Sequence, residues 1–308
     1  MANEADDIIS ADNTDEKLSD AESNYRINYI KCELKETGYV YGNAKLQLKL
    51  SNASSNKGIQ GKSVNIFVDK SLLKEYKTNS KGLINLNFNK MPGTYNVVAK
   101  LKDTGKTIGD ITFTISGIPS TFGLNQIGAY YKDSKLVLNL VNLKNNKGIA
   151  NAKIAVKFSN GKKITLTTNS KGVGSYNIPF KPGTYSVTAV TASKFITKNK
   201  VTLNKFYIGT THLKFSSKSL TVNHNSKKKT LNIKATNYFT KHVMKNVKLA
   251  LKVYTGKKYK TVVLKTDKNG IAKYDASKLS IGAHKIIIRH GENYLNSDSK
   301  KITVKVTR

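Results

Sequence analysis

Apolar and polar residues alternate with a period of two along most of the chain. Apolar side chains occupy every second position in Val64–Val68, Ile154–Phe158 and Val247–Val253. Because successive side chains of a strand point to opposite faces, this alternation predicts half-buried strands of antiparallel sheets. No stretch has a convincing helical period. The pattern therefore predicts an all-β fold.

Short polar segments with a glycine interrupt the alternation. An Asn or Asp side chain can bond the local backbone, and the glycine can adopt the positive φ that a tight turn needs. These features predict turns at 78–82, 168–172 and 266–270, which end in Gly82, Gly172 and Gly270.

A second turn precedes another alternating strand in each part of the chain. Its residues are Pro-Gly-Thr-Tyr twice and Gly-Ala-His once. A tyrosine here can pin a neighbouring loop through its hydroxyl, as in a tyrosine corner, or can be an ordinary strand residue with one polar end. Both alternatives predict a structural turn or corner role for Gly93, Tyr95, Gly183, Tyr185, Gly282 and His284.

The chain contains an internal repeat. Residues 45–101 align with residues 135–191 without a gap, at an offset of 90, and 21 of the 57 positions are identical. A third and more diverged copy begins at Leu231. Because 90 residues is the size of a small domain, we expect a chain of three tandem Ig-like antiparallel β-sandwiches. Their predicted bounds are 25–117, 118–206 and 207–308, after an N-terminal segment at 1–24.

The repeated motifs N-K-G-I, T-N-S-K-G and P-G-T-Y-x-V-x-A resemble the Ig-like repeats of adhesin-like surface proteins from methanogenic archaea. Related modules occur in bacterial surface proteins, and the Lys/Asn/Ile-rich, arginine-poor composition is also similar. The resemblance covers nearly all of residues 25–308. It implies β-sandwich domains, extracellular or cell-surface display, and adhesion or stalk roles without catalysis. The implied partner is a cell-surface receptor or glycan, and the sequence shows neither a leader nor an anchor.

Charge is distributed unevenly along the sequence. Lys and Arg number 53 against 19 Asp and Glu, a net charge of +34, yet residues 1–24 carry a net charge of −7. This acidic and apolar-poor segment predicts a disordered tail. The basic remainder favours either a solubilising lysine surface or a surface that binds polyanions.

The third copy is the predicted location of polyanion binding, because residues 207–308 carry a net charge of +19 against +9 and +13 for the first two copies. The candidate contacts are Lys227, Lys228, Lys229, Lys257, Lys258 and Lys260. Two tyrosines lie beside the last three lysines, at Tyr254 and Tyr259, so the segment could also stack bases or could be an ordinary charged hairpin. Only three residues of the chain are arginine, which disfavours readout of nucleic-acid bases.

Candidate chemistry is sparse. The five histidines lie in the third copy without a zinc-ligand spacing, the single Cys32 lies in the first, and the second contains one acid, Asp133. We therefore expect no enzyme, no cofactor, no metal and no small-molecule substrate. No apolar run reaches the ~20 residues of a membrane span.

Overall fold

The computed structural model describes residues 30–226 and 229–308, so the acidic segment 1–24, predicted to be disordered, lies outside the described residues. Every regular element of the described residues is a β-strand, 23 in number. The prediction of an all-β fold is confirmed. The chain divides into two compact units, Met1–Ile118 and Pro119–Arg308.

The first unit contains the first copy of the repeat, folded as two antiparallel sheets. One sheet has the order β1-β2-β5 and the other has the order β4-β3-β6-β7. This is a seven-stranded Ig or fibronectin-III-like arrangement, in which the first, second and fifth strands form one layer. The strands are β1 (Ile30–Gly38), β2 (Ala44–Asn52), β3 (Ser63–Val68), β4 (Ser71–Lys77), β5 (Leu83–Phe88), β6 (Gly93–Leu101) and β7 (Thr107–Ile115).

The second copy repeats this arrangement within the second unit. Its sheets have the orders β12-β9-β8 and β11-β10-β13-β14, again with antiparallel pairs only. The strands are β8 (Ser120–Tyr130), β9 (Asp133–Asn142), β10 (Lys153–Phe158), β11 (Lys163–Thr167), β12 (Val173–Asn177), β13 (Gly183–Thr191) and β14 (Lys200–Ile208).

The third copy, also in the second unit, has two additional short strands. Its sheets have the orders β20-β17-β15-β22 and β16-β23-β21-β18-β19. Two of its pairs, β15 with β22 and β16 with β23, are parallel, whereas the sequence predicted antiparallel pairing throughout. The strands are β15 (Thr211–Ser216), β16 (Leu220–Asn223), β17 (Thr230–Asn237), β18 (Lys248–Thr255), β19 (Lys258–Lys265), β20 (Ile271–Asp275), β21 (Gly282–His290), β22 (Leu295–Ser297) and β23 (Lys300–Thr307).

The alternating apolar residues form the interior between the paired sheets. In the first copy, Leu48 of one sheet and Ile66 of the other are both fully buried in one hydrophobic cluster. In the second copy, the Phe158 ring lies 5.9 Å from the Tyr176 ring of the opposite sheet. Fully burying a side chain of this size contributes about 1.5–3 kcal/mol, so sheet packing can stabilise a chain that has a single cysteine.

The predicted three-domain division, with boundaries at 117/118 and 206/207, stays a prediction. The sheets follow the three copies of the repeat. Contacts nevertheless join the second and third copies into one compact unit.

Candidate functional sites

The first predicted turn, T-N-S-K-G in two copies and T-D-K-N-G in the third, has the same hydrogen-bond pattern in all three. Asn79 Oδ1 accepts the backbone N–H groups of Lys81 and Leu83, both at 2.9 Å. Asn169 and Asp267 accept the corresponding pairs at 2.8–3.0 Å. In Asp267, the bonds from the N–H groups of Ile271 and Asn269 lower the pKa of the carboxyl.

The glycines of these turns lie where a side chain has no room. Gly82, Gly172 and Gly270 have φ values of 73°, 76° and 73°. A Cβ on Gly82 would lie 2.1 Å from the carbonyl oxygen of Leu50, and a Cβ on Gly172 would lie 2.2 Å from that of Leu140. This geometry supports the predicted structural role, because the turn packs directly on a neighbouring strand.

A buried threonine begins each of these turns and holds the preceding loop. Thr78 Oγ1 donates to the carbonyl of Ile59 at 2.6 Å and accepts the N–H of Lys62 at 3.0 Å. Thr168 and Thr266 make the same two bonds in their own copies, at 2.6 and 3.0 Å. The sequence carries a signal for this role, since the threonine is identical in all three copies.

The second predicted turn ends one residue earlier than expected. Gly93, Gly183 and Gly282, which the sequence places in the turn, are each the first residue of the following strand. Two residues later, Tyr95 and Tyr185 donate their hydroxyls to carbonyls four residues upstream. The acceptors are Met91 at 2.6 Å and Lys181 at 2.8 Å. These bonds support the corner role proposed for the two tyrosines.

His284 occupies the same corner in the third copy. It is buried, and its Nε2 lies 2.8 Å from the carbonyl oxygen of Ser280, again four residues upstream. Its Nδ1 lies 3.0 Å from the carbonyl oxygen of Tyr254. The imidazole therefore contacts two backbone carbonyls at the place where the other copies use a tyrosine hydroxyl.

Of the six lysines proposed for polyanion binding, the structure describes four, and these four do not form one surface. Lys227 and Lys228 lie outside the described residues. Lys229 is buried, and its ammonium group donates to the backbone carbonyl of His224, so it presents little charge to a ligand. Lys257, Lys258 and Lys260 are exposed in and after the turn between β18 and β19.

The tyrosines of that hairpin lie beside other lysines. The Tyr254 and Tyr259 rings are cross-strand neighbours with centroids 5.2 Å apart. Lys252 Nζ lies 4.5 Å from the centroid of Tyr259, and Lys285 Nζ lies 4.3 Å from that of Tyr254. The sequence does not indicate these two contacts. They arise because the register of β18 with its neighbouring strands brings both lysines to the rings.

Lys258 and Lys260 lie on the other side of β19. With Lys273 and Lys278, they line a groove of about 680 Å³ that also contains the carboxylate of Asp275. Tyr259 also lines this groove, although the alternation of a strand directs its side chain to the face opposite those of Lys258 and Lys260.

A joint of ion-pair and hydrogen-bond contacts connects the second copy to the third. Lys132, in the turn between β8 and β9, contacts the two carboxylate oxygens of Glu292 at 2.8 and 3.0 Å. Its ammonium group also donates to the carbonyl of Asn246 at 2.9 Å. The side chains of Lys132 and Glu292 are only 23% and 18% exposed, so water screens this pair less than a surface pair.

Asp133 forms the second half of the joint. Its carboxylate accepts Asn237 Nδ2 at 2.8 Å and Thr240 Oγ1 at 2.5 Å, and it lies 3.0 Å from His242 Nδ1. The backbone contributes as well, because the N–H of Tyr131 donates to the carbonyl of Gly209 at 2.8 Å. The one acid of residues 118–206 is therefore used to hold the third copy.

Two further kinds of group can be located in the part of the chain that the structure describes, namely possible metal ligands and the thiol of Cys32. No set of three or more His, Cys, Asp or Glu residues converges there on a metal position. Burial and the charge of Glu33 raise the pKa of the Cys32 thiol to about 11, so the thiol stays protonated at neutral pH. Within the described residues, no helix of sufficient length and apolarity to cross a bilayer is present.

These features define the class of protein: a repeat protein built from Ig or fibronectin-III-like β-sandwiches. No protein-family model matches the chain, and no curated protein matches it.

Several solved structures are similar to the chain at low identity. Invasin, described as a bacterial integrin-binding protein, is 14% identical, with a TM-score of 0.36 over 90% of this chain and 60% of its own. The FN1–FN3 domains of chicken CNTN1 are 10% identical, with a TM-score of 0.28 over 89% of this chain and 98% of their own. The adhesin InvE of Yersinia pseudotuberculosis is 17% identical, with a TM-score of 0.26 over 59% of this chain and 58% of its own.

Proposed function

We propose that this chain is a non-catalytic, extracellular or cell-surface protein whose Ig-like modules serve cell adhesion, as a binding surface, as a stalk, or as both. The partner is a cell-surface receptor or glycan rather than a small-molecule substrate. The motifs N-K-G-I, T-N-S-K-G and P-G-T-Y support this proposal through their resemblance to archaeal adhesin-like repeats.

The joint of Lys132 and Asp133 is the structural observation that carries the proposal. A protein that displays a binding surface benefits from modules held at a fixed angle, and ion pairs at a partly buried joint restrict that angle. A flexible linker rich in Gly and Ser would instead allow the modules to rotate freely.

Adhesion is tested by binding of the labelled full chain to intact cells, heparin and duplex DNA between about 50 and 500 mM salt. Charge-driven binding falls steeply with salt for every polyanion, because it depends on counterion release. We expect binding to one cell type that persists at high salt while DNA and heparin are released. Equal loss from all three would contradict an adhesive role and leave the chain as a basic stalk.

The stalk role is tested by the distance between spin labels at Ser170 and Lys268, which occupy matching turns of the second and third copies. In a Cys32→Ser background we expect one narrow distance distribution. It should broaden when Lys132 and Asp133 are both changed to Ala, but not with the exposed Lys153→Ala as control. A broad distribution in the parent protein would contradict a fixed joint.

A second candidate function is polyanion or nucleic-acid binding by the third copy, favoured by the lysine and tyrosine contacts of its outer face. Changing Lys252 and Lys285 to Gln should weaken binding of single-stranded nucleic acid more than changing Lys257 and Lys258 to Gln. The reverse order would place the contact at the hairpin turn, as the sequence suggested.

A further inference from the structure

The outer face of the sheet β11-β10-β13-β14 forms an open groove in the second copy. The groove measures about 1050 Å³, and four lysines lie around it: Lys157, Lys163, Lys198 and Lys200. Strands are spaced by about 4.8 Å, so the four strands span about 14 Å. A groove of this width can receive one extended polymer chain.

The floor of the groove consists of small and hydroxyl-bearing side chains. Ala155 lies between Thr165 and Val190 in register. Thr188 lines the groove and pairs with Thr202 just outside the lining, with hydroxyl oxygens 3.1 Å apart. Val156 and Ile164 complete the apolar part of the lining, so the surface offers hydroxyl groups and aliphatic side chains.

The lysines around the groove are not neutralised by acids. Lys157 and Lys163 lie directly opposite each other in the register of β10 and β11, and like charges in that position destabilise a sheet. The only acid of residues 118–206 is Asp133, which is held in the joint with the third copy. An anionic ligand would relieve this repulsion.

The first copy has acids in the same positions of the same sheet. In the first copy, Glu75 lies opposite Asn65, at the position that Thr165 has opposite Ala155 in the second copy. Likewise, Asp110 lies opposite Val98, at the position that Thr202 has opposite Thr188. Lys102 Nζ lies 2.8 Å from Glu75, and its hydrogen bond lowers the pKa of that carboxyl. The first copy therefore lacks the uniformly positive face that the second copy has.

The residues that line the groove favour an acidic polysaccharide over a nucleic acid. Single-stranded nucleic acids bind through aromatic stacking, and bases are read largely by arginine. The described residues that line the groove include neither an aromatic residue nor an arginine. Lysines and threonine hydroxyls suit a polymer that carries both acidic and hydroxyl groups.

We propose that this lysine-rimmed groove binds an acidic polysaccharide through its sulfate or uronate groups. The lysines contact the acidic groups, and the threonines face the sugar hydroxyls. The inference rests on the proposed adhesive function, for which it supplies the ligand class and the location.

The decisive variant is Thr165→Glu with Thr202→Asp in the full chain, which transfers the acids of the first copy to the second. Because like charges oppose binding at an interface, we expect heparin affinity at about 150 mM salt to fall at least about tenfold. Lys157→Gln with Lys200→Gln should give a similar loss without adding a negative charge. Circular dichroism verifies that each variant is folded.

The matched control is Lys135→Gln with Lys171→Gln, which removes the same charge from exposed positions outside the groove lining. We expect less than about a twofold loss for it. An equal loss in the control, or no loss in the groove variants, would overturn the proposal. Parallel titrations with heparin and polygalacturonate show whether sulfate or uronate is preferred, and tighter groove-dependent binding of DNA would also overturn it.

A cell-binding assay on the same variants distinguishes failure of the groove proposal from failure of the proposed adhesive function. If the groove variants lose heparin and also lose salt-resistant binding to cells, the groove is the adhesive site. If they retain heparin affinity while the parent protein adheres to cells, adhesion stands and the groove proposal fails. If the parent protein binds heparin through the groove but no cell, adhesion fails while the groove proposal stands.

Discussion

The first and second copies of the repeat share an interior and differ on one outer face. Both have the same order of seven strands, the same threonine-held turn and the same tyrosine bond. On the outer face of the four-stranded sheet, however, Glu75 and Asp110 of the first copy correspond to Thr165 and Thr202 of the second. Burial and turn geometry therefore constrain the residues that the two copies share. The solvent-facing residues are free of these constraints and can diverge into a charged surface.

Substitution of the turn glycines, which the two copies share, should cause the greatest loss of stability. Changing Gly82 or Gly172 to Ala should destabilise its own copy by about 3 kcal/mol, because the new Cβ meets a backbone carbonyl and φ is positive. Hydrogen exchange followed by mass spectrometry resolves the two copies. Gly123→Ala is the control, since nothing lies within 4 Å of its Cβ position. If the Ala substitution at Gly172 destabilised the second copy no more than that at Gly123, the close approach of Gly172 to the Leu140 carbonyl would be contradicted.

A smaller effect is expected from the buried threonines. Changing Thr78 or Thr168 to Val leaves a carbonyl and an N–H group without their partner, which should cost about 2 kcal/mol in each copy. Exchange protection of the turn peptides measures the loss, and the exposed Thr167→Val is the control. Very different costs at the two positions would show that the copies are not equivalent at this turn.

The difference between the outer faces can be tested in the reverse direction. Removing the acids of the first copy by Glu75→Thr with Asp110→Thr should raise heparin affinity by about threefold. Isothermal titration at about 150 mM salt provides the measurement. Loss of the exposed Lys102–Glu75 pair should change the stability of the first copy little, because water and salt screen exposed ion pairs. Unchanged heparin affinity would mean that these acids do not decide the charge of the face.

The smallest effect concerns the corner tyrosines. Tyr95→Phe and Tyr185→Phe each remove one hydroxyl bond to a loop carbonyl and should cost about 1 kcal/mol. Exchange at the loops that contain Met91 and Lys181 reports the loss, and the exposed Tyr207→Phe is the control. No measurable change would assign these residues to ordinary strand packing, the alternative that the sequence left open.

The sequence carries the local features of this fold. Alternation predicted the buried positions of Val64–Val68 and Ile154–Phe158, and the Gly-containing segments predicted the turns. These features depend on near neighbours in the chain, so a single sequence displays them. The parallel pairs of the third copy were missed, because the pairing of short strands distant in sequence leaves no local signal.

The candidate sites depend on distant residues and were predicted less well. Lys132 and Glu292 are 160 positions apart, so their ion pair is visible only in the folded chain. The hairpin at Tyr254–Lys260 was treated as a continuous basic and aromatic segment, whereas the strand period places Tyr259 and Lys260 on opposite faces. The lysine-rimmed groove was missed because its lysines come from two separate hairpins, β10–β11 and β13–β14.

The parallel pairing of β16 with β23 has a mechanical consequence. These strands lie near the two ends of the third copy and run in register over four residue pairs, Leu220–Asn223 with Val304–Thr307. A pulling force applied at the two ends slides parallel strands past each other, so the four pairs resist together instead of opening one at a time. Among the described residues, one parallel bridge, Val40 with Ser116, occupies the comparable position in the first copy, and Tyr130 of the second copy makes such a bridge with Gly209 at the start of the third. We therefore expect the third copy to resist a force applied at its two ends more strongly than the first copy does.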